Sequence, residues 1–300
     1  MSAAIGGIGC RVRTVAGGKE RYVTTTSRDS GTLTSPAAGR PSIRKRTLRR
    51  DRWWLAPLVT ALSLATFVIY AGIRSFWGSA YYVEQYHYLT PFYSPCLSGS
   101  CLPGSSHFGQ PLPEFPPWIP LAVVSLPFLL AFRITCYYYR KAYYRSFWLA
   151  PPACAVAEPH DRYTGENKFP LILQSFHRYF FYAAMIIVLI NTYDLVLSFQ
   201  SDAPDGSFRF GLGLGNIVLL INVVALWLYN LSCHSCRHVV GGRLKHFSRH
   251  PVRYWMWTQV SKLNTRHMLW AWISLGTLVL TDLYVMLVAS GTIPDLRIIN

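Results

Sequence analysis

The stretch Leu231–His250, LSCHSCRHVVGGRLKHFSRH, holds two cysteines and four histidines directly after an apolar run. Thiolates and imidazoles are ligands for zinc, for iron–sulfur clusters and, in the case of imidazole, for haem iron. A Cys-x-x-Cys pair such as Cys233 and Cys236 is shared by redox, zinc and iron–sulfur sites, so alone it defines only a class of chemistry. His177 and His267, each near the start of a later apolar run or the one before, are the imidazoles whose position suits the same chemistry. His234 and His238, and His246 and His250, are spaced i, i+4. The second pair is the poorer helical chelate, because a residue before proline is biased away from α geometry.

These residues need elements to carry them, and the composition says what kind. Of 300 residues 51% are hydrophobic and only 14% charged, well under the roughly 25% charge of a soluble domain. Five segments are long enough to cross a hydrocarbon core of about 30 Å as helices: Trp53–Ile73, Pro117–Tyr138, Phe176–Phe199, Phe210–Leu231 and Met268–Ala289. The first lies behind a long basic arm and runs past signal-peptide length, so it reads as a retained span. The net charge is +16, but the basic residues fall between apolar runs. Membrane topology therefore accounts for them better than nucleic acid does.

Arginine and lysine crowd residues 40–52, 140–168 and 237–266, whereas 78–115 has none and 200–209 only Arg209. The positive-inside rule then places the N-terminus in the cytoplasm and the C-terminus outside a plasma membrane. The expected fold is all-α: a polytopic five-helix transmembrane bundle in residues 51–300, preceded by a disordered basic cytoplasmic arm, residues 1–50, rich in Gly, Ser, Thr and Arg. Residues 251–263, PVRYWMWTQVSKL, open with proline and space Val252, Trp255, Met256, Val260 and Leu263 helically. They predict an amphipathic helix lying in the interface and contacting membrane lipid. Cys96 and Cys101 sit in the outer loop, where disulfides persist, and are expected to be bonded. No internal repeat is evident.

In this topology seven of the nine histidines, all but His87 and His107, are cytoplasmic. A helical rise of about 1.5 Å per residue turns sequence position into depth. With helix ends at Pro170, Gly241–Gly242 and Ser261, His177, Cys233, Cys236 and His267 all lie roughly 7–12 Å in. Two thiols and two imidazoles from three helices then share one level, fit for structural zinc, a Rieske-type [2Fe–2S] cluster, or, using the imidazoles alone, a b-type haem. Arg178 and Arg133 lie at similar depth, where buried charge is costly and often functional; with His238, His246 and His250 they are candidates for a quinone site. Arg74, Asp194 and Asp282 fall near the outer ends of their spans and read as an interhelical ion pair, with a proton path or second quinone site as the sharper alternative.

Four stretches, YYRSFWLAPPACAVAEPH, YTGENKFPLILQSFHRYFFY, LSCHSCRHVVGGRLKHFSRHPVRYWMWTQVSKLNTRHM and TDLYV, resemble the single-chain membrane anchor of certain bacterial succinate dehydrogenases. The resemblance spans roughly residues 82–284 and is more specific than the Cys-x-x-Cys pair. It implies partner flavoprotein and iron–sulfur subunits on the cytoplasmic face, electron delivery to membrane quinone in the respiratory chain, and a membrane-embedded Rieske-type cluster rather than haem. Soluble Rieske proteins draw one Cys and one His from each of two boxes. Here both cysteines of the box lie together, so the ligand set Cys233, Cys236, His177 and His267 rests on depth alone. The rival readings are a b-haem anchor using His177 and His267, and a zinc-stabilised membrane scaffold without redox activity. The chain has no dinucleotide fingerprint and no large soluble domain for a flavin, so alone it is not expected to oxidise succinate.

Overall fold

The computed structural model describes residues 46–159, 171–202 and 208–299, so nearly all of the basic arm, together with His160, lies outside the described residues. Among the described residues, four helices are long and apolar enough to cross a membrane: α1 (Leu55–Trp77), α4 (His177–Leu197, with a 3-10 turn before it), α5 (Leu214–Leu231) and α8 (His267–Ala289). Large apolar side chains point outward along them, among them Leu62, Val68 and Ile69 of α1 and Ile186, Leu189 and Val196 of α4. The inward faces carry Asn191, Asn222, Ser274 and Thr281. Apolar outside and small or polar inside is the pattern of helices that pack against one another in lipid.

The expected second span is not one helix. Residues 121–124 form a 3-10 turn, α2 runs Leu126–Thr135 with Pro127 in its first turn, and α3 runs Tyr137–Ser146. Pro120 and Pro127 lack the N–H groups a continuous ladder needs, and at Cys136 the chain is extended (φ −66°, ψ 132°). Only the ten-residue α2 is both helical and apolar there.

The other expected helix ends also move. α5 stops at Leu231, Cys233 is extended (φ −65°, ψ 143°), and a separate α6 (His234–Gly241) follows. The Gly241–Gly242 pair therefore ends α6, not the fourth span. α7 (Pro251–Asn264) and α8 are likewise separate, broken at Thr265–Arg266. α7 opens at Pro251 as expected. Val252, Trp255 and Met256 are exposed, as an interfacial helix requires, while Val260 turns into the protein.

In the loop after α1, Cys96 and Cys101 form the expected disulfide. Tyr81, Tyr88, Phe92 and Tyr93 of the connecting loop are fully buried, with Tyr81 stacked on Tyr93 at 4.4 Å. The expected ion pair joins α1 to α8: Arg74 Nε donates to Asp282 Oδ2 at 2.7 Å, and the Tyr70 hydroxyl donates to the same oxygen at 2.6 Å. Asp194 belongs instead to the loop, held by Ser94 and by His107 at 2.7 Å.

Beside them, Tyr88 Oη meets Asn216, Asp295 and Arg297 at 2.9, 2.9 and 3.0 Å, tying the loop and the tail strand (Arg297–Ile299) to the start of α5. A Cβ on Gly215 would lie 2.2 Å from the Tyr88 ring. Gly215→Ala is therefore expected to destabilise this end of the bundle by about 1–3 kcal/mol, the usual range for overpacking. A lowered melting temperature of the purified protein would show it, and an unchanged one would refute the contact.

Candidate functional site

The breaks in the helices are where the soft donors sit. Cys136 separates α2 from α3, His177 is the first residue of α4, Cys233 separates α5 from α6, and His267 is the first residue of α8. Extended residues at this level are tolerated where protein surrounds them or where they line a cavity. Here a cavity of about 240 Å³ is lined by Thr135, Cys136, Tyr137, Arg140, Gln174, His177, Cys233, His234 and His267.

The donors meet in two Cys–His pairs. His177 Nε2 lies 3.2 Å from Cys233 Sγ, and His267 Nε2 lies 3.5 Å from Cys136 Sγ. Each imidazole is held in the same manner on its other side. His177 Nδ1 meets the Thr135 hydroxyl at 2.8 Å, and His267 Nδ1 meets the Ser232 hydroxyl at 2.6 Å. Each ring also lies flat against an aromatic neighbour, Phe132 on His177 at 4.8 Å and Tyr229 on His267 at 5.2 Å, both within 5° of parallel. Stacking and a hydroxyl contact together fix the plane of each ring and the direction in which Nε2 points.

Three of the four donors expected from depth, His177, His267 and Cys233, are thus brought together. Cys236 is not. It is buried in the apolar core but does not line the cavity, and α6 packs on α7. The expectation placed both thiols on one unbroken helix; the extended residue at Cys233 redirects the chain before Cys236 is reached. Cys136 takes the position instead. It lies two residues, about 3 Å, from the expected inner end of the second span, shallower than the level assigned to the other donors, so depth alone does not select it.

The remaining candidates separate into distinct surroundings. Arg178 lines a second cavity of about 440 Å³ with Ser175, Tyr179, His234, Ser235 and His238, and His234 lines both cavities. Arg133 lines neither of these two. It is buried, donates to the Tyr139 hydroxyl and to Ser274 Oγ, and lies 4.9 Å over the Tyr229 ring, so it pins α2 to α8 behind the site. His246 and His250 are exposed on the chain between α6 and α7. They do not share a helix: His246 caps a 3-10 turn and His250 (φ −135°, ψ 65°) caps α7.

Two thiols and two imidazoles in one buried pocket form a donor set suited to a [2Fe–2S] group of Rieske type, in which imidazole and thiolate ligands are shared between two irons. Cys136, Cys233 and Cys236 are all free thiols. Among the described residues, no three or more His, Cys, Asp or Glu side chains are grouped so as to hold a single metal ion.

Comparison with known proteins bears on most of the chain. The family described as actinobacterial succinate dehydrogenase subunit SdhC matches residues 55–291. Among solved structures, a chain of the Mycobacterium smegmatis Sdh1 complex in the apo form is 70% identical, with a TM-score of 0.81. That match covers 89% of this chain and 98% of the other. No curated protein matches.

Proposed function

From the premise that the chain belongs to the actinobacterial family of succinate dehydrogenase SdhC subunits, and is a membrane-anchor subunit of such a complex, we propose that it also conducts electrons from a docked iron–sulfur subunit to membrane quinone. The observation that carries this reading is the convergence of Cys136, His177, Cys233 and His267, from four separate chain segments, on one cavity. These residues would hold a [2Fe–2S] cluster, with Cys136 in the place that depth assigned to Cys236. When bound, such a cluster accepts and releases one electron at a time.

The protein's own residues would do the rest. Phe132 and Tyr229 wall the imidazoles and keep water from them. Arg178, Tyr179 and His238, around the neighbouring cavity, offer hydrogen-bond donors to a quinone carbonyl. His234 and His238 are exposed and able to pass protons from the cytoplasmic side. The basic segments after α2 and α5 offer a cationic surface to the flavoprotein and iron–sulfur subunits. In this reading residues 117–146 make the remaining crossing in broken form. The bundle then crosses the plasma membrane five times, N-terminus in the cytoplasm and C-terminus outside.

The pairing of donors weighs against the rival haem. A b-type haem would need His177 and His267 to face each other across open space, but each Nε2 faces a sulfur. Iron, acid-labile sulfide, zinc and the pyridine haemochrome spectrum of the purified complex, compared between wild type and a Cys233→Ala/His267→Ala variant, test the reading. The expected difference is about two irons and two sulfides per complex, the content of one [2Fe–2S] cluster, together with loss of succinate-driven quinone reduction. A difference in haem or in zinc alone would overturn it.

A further inference from the structure

Hydrogen-bond accounting around the two imidazoles goes one step further, resting on the proposed cluster. A hydroxyl has one proton to donate. The Thr135 hydroxyl directs its proton to the Ala131 carbonyl at 2.7 Å, with the Phe132 carbonyl at 3.3 Å as its other acceptor. The Ser232 hydroxyl directs its proton to the Tyr229 carbonyl at 3.0 Å. With its proton so directed, each oxygen faces its imidazole as an acceptor, and the contacts at His177 Nδ1 (2.8 Å) and His267 Nδ1 (2.6 Å) are those of a ring carrying its hydrogen on Nδ1. A neutral imidazole with its hydrogen on Nδ1 carries its lone pair on Nε2. Nε2 is the atom that each ring turns toward the thiols.

We infer that Thr135 and Ser232 are positioning residues that select the Nδ1–H tautomer of His177 and His267, so that both rings present Nε2 to the metal group. Each acts through the ring it holds. The same contact makes each ring a stronger donor, because a hydrogen bond accepted from Nδ1–H leaves more electron density on the ligand. Thr135 is the last residue of α2 and Ser232 the residue after α5, so each hydroxyl immediately precedes a cysteine of the site, Cys136 or Cys233.

The test uses the intact complex from cells supplied with histidine carrying ¹⁵N at Nδ1 or at Nε2. Pulsed EPR of the reduced complex is read on the signal that Cys233→Ser removes. The expected outcome is a large coupling, that of a directly bound nitrogen, from the Nε2 label and only a weak remote coupling from the Nδ1 label. The reverse assignment overturns the inference while leaving the cluster in place. Thr135→Val and Ser232→Ala are each expected to raise the midpoint potential of that signal, and Thr135→Ser to restore it. Unchanged potentials in both variants also overturn the inference. If no signal depends on Cys233, the proposed function fails and this inference fails with it.

Discussion

A complex carrying Cys136→Ser is expected to lose the [2Fe–2S] signal of the anchor and to reduce quinone from succinate more than about 100-fold more slowly, while Cys236→Ser keeps both. Even outer-sphere partners of a metal site typically change affinity 10–100-fold when removed, and a hard hydroxyl in place of a thiolate is a larger change. The contrast matters because the two cysteines answer to different readings. Depth in a straight helix selects Cys236; the direction of the side chain selects Cys136, whose sulfur lies 3.5 Å from His267 Nε2. Iron and sulfide content of the two variants, measured beside their quinone reductase rates, separates them. Loss of the signal in Cys236→Ser with its retention in Cys136→Ser would reverse the assignment.

The second large effect lies at the opposite face. Arg74 and Asp282 are 1% and 0% exposed, and they pair with one another across α1 and α8. Asp282→Ala leaves the guanidinium buried without its carboxylate and also takes the acceptor from Tyr70. Breaking a buried pair on one side costs about 3–5 kcal/mol, enough to reduce the yield of assembled complex and lower its melting temperature. Replacing both partners, as in Arg74→Met with Asp282→Leu, removes the stranded charge and should recover most of that loss. Should the double variant assemble and melt like wild type yet fail to turn over, the pair would have a role in the reaction rather than in holding the helices.

Much of this architecture is legible in the order of residues, and the reason differs from element to element. The spans around Val68, Val188, Leu219 and Leu278 are visible because roughly 20 uninterrupted apolar residues have few other uses. Pro117–Tyr138 also reads as a span in sequence, but prolines at 120 and 127 and the extended residue at 136 divide it, so it is not one helix. His177, His267 and Cys233 come to one cavity, as helical rise, converting sequence position to depth, leads one to expect. Cys236 does not line that cavity, because depth says nothing of direction. The break that decides direction, at Cys233, has no glycine or proline to announce it. The hydroxyls at 135 and 232 are hidden for a related reason. A threonine or serine ending a span ordinarily satisfies its own backbone carbonyl, and only the folded bundle brings an imidazole to the oxygen's other side. The Arg74–Asp282 pair follows from placing each residue near the outer end of its span, although sequence alone does not say that Asp194 would turn to the loop and leave Asp282 as the partner.

The partners in the two Cys–His pairs are separated by 56 and 131 positions along the chain. Nothing held by those four side chains can be captured by a nascent segment on its own, nor by a single hairpin emerging into the bilayer. The pocket exists only once the last span has docked against the earlier ones. A prosthetic group proposed for this pocket would therefore have to be loaded after the last span is in place, and a subunit stalled with its final helix outside the bundle would lack the complete donor set.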